Sequence, residues 1–126
     1  MRLVIVTILG TMLPIAAPAQ ALSPELTFEK KLSVVTDKKE RVELVLTQVT
    51  TNKREAQCAI RIAYKESRYN VDSLNISSGA RGVWQLLWGK PEWSILKQTS
   101  EAHKYVLHRY GTWCKAFEFH QERNWY

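Results

Sequence analysis

The sequence predicts a mainly α-helical domain of α+β type, with one small β or turn element in the middle of the chain. Apolar residues recur every three or four positions between residues 42 and 64, and again between 105 and 120, which is typical of amphipathic helices. Residues 70–81 instead read NVDSLNISSGAR, a stretch dense in residues that favour turns. We therefore expect helices on both sides of a turn-rich segment.

The N-terminal residues 1–21 have the pattern of a secretory signal peptide. Arg2 makes a positive start, residues 3–15 are mostly apolar, and Ala19-Gln20-Ala21 fits a small-x-small cleavage site. The apolar run is shorter than the about 20 residues that a transmembrane helix needs. We expect cleavage after Ala21 and export to the periplasm or the medium, with no stable membrane insertion. The alternative is an uncleaved N-terminal anchor.

The remaining residues are enough for one small domain with one core. Residues 22–36 carry weak signals and are predicted to be a lead-in segment, so the domain proper spans residues 37–126. The chain has two cysteines, Cys58 and Cys114, which we expect to form a disulfide after export. Such a bridge stabilises a domain by roughly 3–4 kcal/mol in the loop-entropy model. The alternative is a pair of buried thiols.

Charge and histidine spacing argue against several other classes of protein. The formal net charge is +6, which suits an anionic polymer or membrane surface as a partner, but no run of five like charges marks a nucleic-acid-binding tail. His103, His108 and His120 form no HExxH pattern, and no CxxC occurs. We therefore expect no metal, no cofactor and no nucleic acid, and we interpret the histidines as surface or hydrogen-bonded structural residues.

Two helices are predicted before the turn-rich segment. Asp37 and Glu40 fit a capping box, and Val42, Val45, Leu46 and Val49 follow at helical spacing. After the polar stretch TTNKRE, a second helix should run from about residue 56 and stop near residues 67–70. The apolar stretch 82–88, GVWQLLW, is predicted to be either a strand or a buried turn.

Two further helices are predicted after the turn-rich segment. Pro91 should open a short helical turn, and Ser100 should cap a helix that stops at Gly111. A last helix should span residues 113–122, with Trp113, Ala116, Phe117 and His120 on one stripe. Trp113 is expected in the core, whereas Trp125 and Tyr126 fit either a core or a cleft.

Glu66 is the first candidate for a catalytic residue. It lies where the second helix should end, so the carbonyl end of that helix disfavours a negative charge there. Apolar neighbours such as Ala63 add a desolvation effect of the same sign. Both effects favour a protonated carboxyl near neutral pH, which a general acid requires. The alternative is an exposed glutamate that pairs with Lys65 or Arg68.

Two motifs resemble the soluble lytic transglycosylase family. Glu66-Ser67, then Asn70, precede a Ser-Gly-Ala-x-Gly-x-x-Gln-Leu segment at residues 78–86, and the resemblance covers residues 56–126. The family has a lysozyme-like fold and cleaves the glycan strand of peptidoglycan. The resemblance implies that Glu66 is the catalytic residue and that the substrate-binding residues are Ser67, Ser78, Gly79, Ala80 and Gln85.

Two aromatic residues are expected to contact the substrate as well, and the sequence departs from the family pattern at two places. Trp84, beside Gln85, is the candidate for stacking on a sugar ring. Larger members carry an Ala-Tyr-Asn-Ala-Gly type motif, and here residues 116–120 read AFEFH, so we expect Tyr110 to contact the N-acetyl group of the sugar. Val71 stands where the family often has proline. Neither departure affects Glu66, the candidate general acid.

The reaction implied by the resemblance is cleavage of the β-1,4 bond between N-acetylmuramic acid and N-acetylglucosamine, with formation of a 1,6-anhydro ring by a monomeric enzyme. A hydrolytic muramidase is the nearest alternative, and its second carboxylate would be Asp72, Glu92 or Glu101. A peptidoglycan-binding module without activity is another. A basic exported binder of nucleic acid or membranes is a third, but the sequence offers no cationic arm for it.

Overall fold

The computed structural model describes residues 10–17 and 24–126. Its described part contains five α-helices, which confirms the predicted mainly helical class. Residues 68–94, here called the turn segment, separate the third helix from the fourth and contain two isolated β-bridges, Leu74–Arg81 and Arg81–Leu86. The stretch 82–88 is therefore a turn and not a strand, buried at residues 82–84 and 86 and exposed at Leu87 and Trp88. The helices are α1 (Pro24–Val34), α2 (Lys38–Leu46), α3 (Lys53–Ser67), α4 (Ile95–Tyr110) and α5 (Trp113–Arg123).

The predicted signal peptide and its cleavage after Ala21 lie outside the described residues, except for residues 10–17, which are exposed and form neither helix nor strand. Among the described residues, no helix combines the length and the apolar character needed to cross a bilayer.

Capping residues account for the helix boundaries that were predicted correctly. The Asp37 carboxylate accepts a hydrogen bond of 2.8 Å from the Glu40 N–H and starts α2. Gly111 ends α4 with a φ of 82°, a conformation that glycine adopts without a Cβ clash. The stripe predicted on α5 is buried, and Trp113 lies in the core as expected.

Three expectations about helix positions differ from the structure. The predicted lead-in segment is mostly helix α1, because Phe28 and Leu32 lie one turn apart and bury that face of the helix against the core. Helix α4 begins at Ile95 and not at Ser100, because the Ser94 hydroxyl accepts a 3.1 Å hydrogen bond from the Lys97 N–H and caps it there. The helical turn predicted at Pro91 does not form, and residues 91–94 remain turn and irregular backbone.

Helices α3 and α5 are joined directly near their N-terminal ends. The predicted disulfide is present, with the Cα atoms of Cys58 and Cys114 5.0 Å apart. Close by, the Glu55 carboxylate accepts a 2.6 Å hydrogen bond from the Trp113 N–H, one of the amides at the start of α5 that has no partner within the helix. These two links hold α5 against α3 and so determine where the rest of α5 lies.

The turn segment contributes to the core through Val83, Trp84 and Leu86. The ring of Trp84 lies 4.9 Å from that of Trp113, between centroids. The buried Gln98 side chain on α4 holds this segment in place: its amide oxygen accepts a 2.9 Å hydrogen bond from the Val83 N–H, and its amide nitrogen donates to the Val71 carbonyl at 3.1 Å. The turn segment is therefore fixed to the helical core on both sides of residue 80.

Gly82 and Gly79 allow a test of this arrangement. Both have positive φ, 81° and 77°, but a Cβ at Gly82 would overlap the Gln98 amide, whereas one at Gly79 would meet no atom within 4 Å. We expect Gly79→Ala to destabilise the fold by about 1–2 kcal/mol through its backbone conformation. Gly82→Ala should cost about 1–3 kcal/mol more, because displacing Gln98 leaves a buried N–H unpaired. Urea unfolding measures both, and equal losses would contradict the role given to Gln98.

Candidate functional site

Glu66 lies in the last turn of α3, directly before the terminal residue Ser67. The helix ends because Arg68 and Tyr69 adopt positive φ angles of 51° and 66°, and the Arg68 N–H donates to the Tyr64 carbonyl at 2.9 Å. The side chain of Glu66 is 17% exposed, so its carboxyl is largely shielded but still reaches solvent. The predicted alternative, an exposed glutamate paired with Lys65 or Arg68, does not form.

The carboxyl of Glu66 contacts His120 of α5. Its Oε1 lies 2.6 Å from the His120 Nε2, and the imidazole is 5% exposed. The other ring nitrogen, Nδ1, is buried and has no hydrogen-bond partner among the described residues. A doubly protonated ring would leave a buried N–H without an acceptor, at a cost of about 1–3 kcal/mol. The geometry therefore favours the tautomer in which Nε2 carries the ring proton and donates it to Oε1 of Glu66.

Burial raises the pKa of Glu66 above its ordinary 4.5, because a shielded site disfavours the charged carboxylate. The hydrogen bond to His120, and any positive charge on that ring, act in the opposite direction and are the smaller effects. The sequence analysis predicted the direction of this change. Its cause is mainly the desolvation that follows from the packing of α3 and α5.

Glu66 faces a cavity of about 320 Å³, a volume within the range of small-molecule sites. The turn segment forms one side of this cavity and the residues after α5 form the other. Three of the predicted substrate-binding residues, Ser78, Ala80 and Gln85, line it together with Glu66. The remaining lining residues are Asn75, Leu87, Asn124, Trp125 and Tyr126.

Gln85 and Ser78 have polar atoms left for a ligand. The Gln85 amide nitrogen donates to the carbonyls of Gly82, at 2.9 Å, and Ser73, at 3.3 Å, which holds the side chain and leaves its amide oxygen as an acceptor. The Ser78 hydroxyl oxygen accepts from the Ala80 N–H at 3.2 Å, and its proton remains available. Both groups can therefore bind the hydroxyl or amide groups of a sugar.

Two residues that were predicted to bind substrate, Ser67 and Gly79, stabilise the backbone and do not line the cavity. The Ser67 hydroxyl donates a 2.8 Å hydrogen bond to the Val83 carbonyl, and this bond ties the end of α3 to the turn segment beside Glu66. Gly79 allows the positive φ of an exposed turn but does not line the cavity. Each residue positions the site without reaching into it.

The predictions for two aromatic residues are wrong. Trp84 is fully buried, and its indole N–H donates to the Thr99 hydroxyl at 3.0 Å, so it cannot stack on a sugar. Tyr110 lies outside the cavity lining, and its hydroxyl is buried without a hydrogen-bond partner among the described residues. This burial raises the pKa of Tyr110 to about 12.

The aromatic residues that do reach the cavity follow α5. Asn124 adopts a φ of 60° and ends the helix, so that Trp125 and Tyr126 turn back beside Glu66. The Tyr126 hydroxyl donates a 2.7 Å hydrogen bond to the Trp84 carbonyl. Burial, and next the charge of Glu66, raise the pKa of Tyr126 well above 10, so its hydroxyl remains a donor. The sequence signal for this helix end was an asparagine four residues after His120, the last residue of the buried stripe.

The three candidates for a second carboxylate lie elsewhere. Asp72 lines a separate cavity of about 120 Å³. Glu101 pairs with Lys97 at 2.8 Å and Lys104 at 3.4 Å, and the Lys97 hydrogen bond is the largest of the effects that lower its pKa. Glu92 is exposed in the turn segment. Of the described residues, Glu66 alone brings a side-chain carboxylate to the 320 Å³ cavity.

No family model, curated protein or solved structure matched this chain when its sequence and fold were compared with them. The described residues also contain no cluster of three or more potential metal ligands.

The raised pKa of Glu66 predicts a specific dependence of stability on pH. The folded protein holds this proton more tightly than the unfolded chain, so stability should fall as pH rises from about 4.5 through the raised pKa. Glu66→Gln removes the titrating group, so its free energy of unfolding should not show this fall. The difference in unfolding free energy between Glu66→Gln and the wild type should therefore shift in favour of Glu66→Gln as the pH rises through this range. A tenfold difference in proton affinity corresponds to about 1.4 kcal/mol.

Urea unfolding at a series of pH values measures this difference. Glu118→Gln, a change at an exposed carboxylate on α5, is the matched control and should follow the wild type. If Glu66→Gln and the wild type respond identically to pH, Glu66 is not held in its acidic form by the fold.

Proposed function

We propose that this protein is a lytic transglycosylase of lysozyme-like fold that cleaves the β-1,4 bond between N-acetylmuramic acid and N-acetylglucosamine in peptidoglycan. The observation that carries the proposal is Glu66: a partly buried carboxyl with a raised pKa, facing a cavity that no other described side-chain carboxylate lines. The resemblance of the Glu-Ser and Ser-Gly-Ala motifs supports the same assignment.

Glu66 would act first as an acid and then as a base. Its carboxyl proton goes to the oxygen of the glycosidic bond, and the bond from that oxygen to C1 of the muramic residue breaks. The N-acetyl oxygen of the same sugar supports the positive charge at C1. The Glu66 carboxylate then takes the proton of the C6 hydroxyl while O6 bonds to C1, which closes the 1,6-anhydro ring. The proton returns to Glu66, and no water is consumed.

His120 supports the first half of this cycle. As Glu66 loses its proton, the Nε2 of His120, 2.6 Å away, can donate to the carboxylate that forms. A hydrogen bond to a charged acceptor is about twice as strong as a neutral one. The contact is thus strongest where charge develops, which is how an enzyme lowers a barrier. The imidazole also holds the carboxyl in one orientation.

Glu66 is the one described side-chain carboxylate that lines the cavity, and this favours transglycosylation over hydrolysis. Hydrolases with two carboxylates need the second group about 5–5.5 Å from the acid for retention or about 6.5–9.5 Å for inversion. Asp72, Glu92 and Glu101 do not line the cavity. Intramolecular attack by the C6 hydroxyl needs no carboxylate to hold water, because the substrate brings its own nucleophile.

The proposal also places the protein outside the cytoplasm, where peptidoglycan lies. The signal-like N-terminal sequence supports export, and the Cys58–Cys114 disulfide is compatible with an oxidising compartment. We propose a monomer with the glycan strand as its partner. Cleavage after Ala21 removes Arg2 from the 18 basic residues, and the remaining 17 against 12 acidic residues give a formal charge of +5, which suits an acidic cell wall.

A digest of purified peptidoglycan tests the proposal. The wild type should release 1,6-anhydro-muropeptides, identified by mass spectrometry, and Glu66→Gln should form them at least about a hundredfold more slowly, because general acid–base catalysis is lost. Asp72→Asn is the matched control and should remain active. Reducing-end products, one water heavier, would contradict the proposal in favour of a muramidase. An absence of products from the folded wild type would favour a binding module.

A further inference from the structure

Arg109, in the last turn of α4, is surrounded by aromatic rings. One of these rings belongs to Trp125, which lines the cavity of Glu66. The guanidinium carbon of Arg109 is between 5.0 and 5.8 Å from the centroids of four rings, and its Nη1 donates a 2.7 Å hydrogen bond to the Tyr105 hydroxyl. These contacts hold a normally mobile side chain in one place. The four rings belong to Tyr105, Tyr110, Phe119 and Trp125.

The charge of Arg109 has no ion-pair partner among the residues that the structure describes. The residue is also exposed. The guanidinium has five N–H donors, and its neighbours Tyr105 and Tyr110 offer only one hydroxyl each, so donors remain for a ligand. A fixed guanidinium with free N–H groups matches the two oxygens of a carboxylate.

Trp125 connects this cation to the cavity of Glu66. Its ring lies 5.0 Å from the guanidinium carbon, and the residue also lines the cavity. Trp125 is 48% exposed, and Phe119 packs edge-on against it at 4.9 Å. The guanidinium and Phe119 together hold the ring in place, and the exposed half of the residue offers apolar surface on which a sugar can stack.

We propose that Trp125 and Arg109 form a subsite for the muramic acid residue, in which Trp125 stacks on the sugar ring and Arg109 binds a carboxylate carried by its lactyl arm. This inference rests on the proposed function, since it names the substrate feature that the same cleft selects. The carboxylate is either the lactyl group itself in peptide-free strands or that of a stem peptide. N-acetylglucosamine polymers lack the lactyl arm, so the subsite discriminates between the two glycans.

Binding to the Glu66→Gln protein, which leaves the ligand intact, tests the subsite. Peptide-free muramic-acid-containing strands should bind about tenfold more tightly than N-acetylglucosamine oligomers of equal length, as expected for one hydrogen-bonded charge pair. Adding Arg109→Gln should abolish this preference, and Arg109→Lys should keep part of it. Arg61→Gln is the matched control, since Arg61 is also exposed over a ring, that of Phe117 at 5.5 Å, but lines another cavity.

The possible results distinguish a failure of the proposed subsite from a failure of the proposed reaction. An Arg109 effect on peptide-bearing strands alone would assign the carboxylate to the stem peptide, and an effect on peptide-free strands would assign it to the lactyl group. Equal weakening of both glycans by Arg109→Gln, or no weakening, would overturn the subsite even if the wild type forms anhydro products. A preference that depends on Arg109 in a protein that forms no products would keep the subsite and overturn the reaction.

Discussion

The contact between Glu66 and His120 is the interaction on which the candidate site depends. It joins α3 to α5 at 2.6 Å, in a position where both side chains are largely shielded from water. The disulfide and the Glu55 hydrogen bond join the same helices nearer their starts, so the two helices run in the same direction and are held at both ends. This pairing brings the residues after α5 to the end of α3, where they complete the cavity.

The backbone around the site is strained, and specific contacts hold it. Arg68, Tyr69 and Gln85 all adopt positive φ, a conformation that costs residues with a Cβ about 1–2 kcal/mol each. Such strain persists only where the surrounding contacts compensate for it, and it concentrates at functional sites. Here the contacts are the hydrogen bonds of Ser67 to Val83 and of Gln98 to the same residue. The turn segment is thus an ordered wall of the cavity, although it contains almost no regular structure.

Local signals in the sequence were sufficient for part of the fold. The cap at Asp37, the stop at Gly111 and the apolar stripe on α5 predicted helix ends and the buried face because each depends on neighbouring residues. The disulfide was predicted from two cysteines in a chain whose N-terminal pattern predicts export. The start of α4 could not be distinguished in this way, because Ser94 and Ser100 are both acceptable caps. The helix α1 was missed because only Phe28 and Leu32 mark its buried face.

Only the site residues that belong to the two sequence motifs could be predicted. Glu66, Ser78, Ala80 and Gln85 line the cavity as the resemblance implied. Trp84 was misplaced because being next to Gln85 in sequence says nothing about direction, and the side chain enters the core. His120 contacts a residue 54 positions away, which no local pattern reveals. Its place on the buried stripe of α5 indicated burial but not its partner.

The central claim is that burial in this cleft keeps the carboxyl of Glu66 protonated above its ordinary range. NMR titration of the side-chain carboxyl carbon of Glu66, in the folded protein labelled with ¹³C, measures this most directly. We predict a pKa above 4.5, and a still higher one in His120→Leu, because the partner that lowers the pKa is lost while the burial remains. A wild-type pKa at or below 4.5 would contradict the account, because Glu66 would then be an ordinary carboxylate at neutral pH.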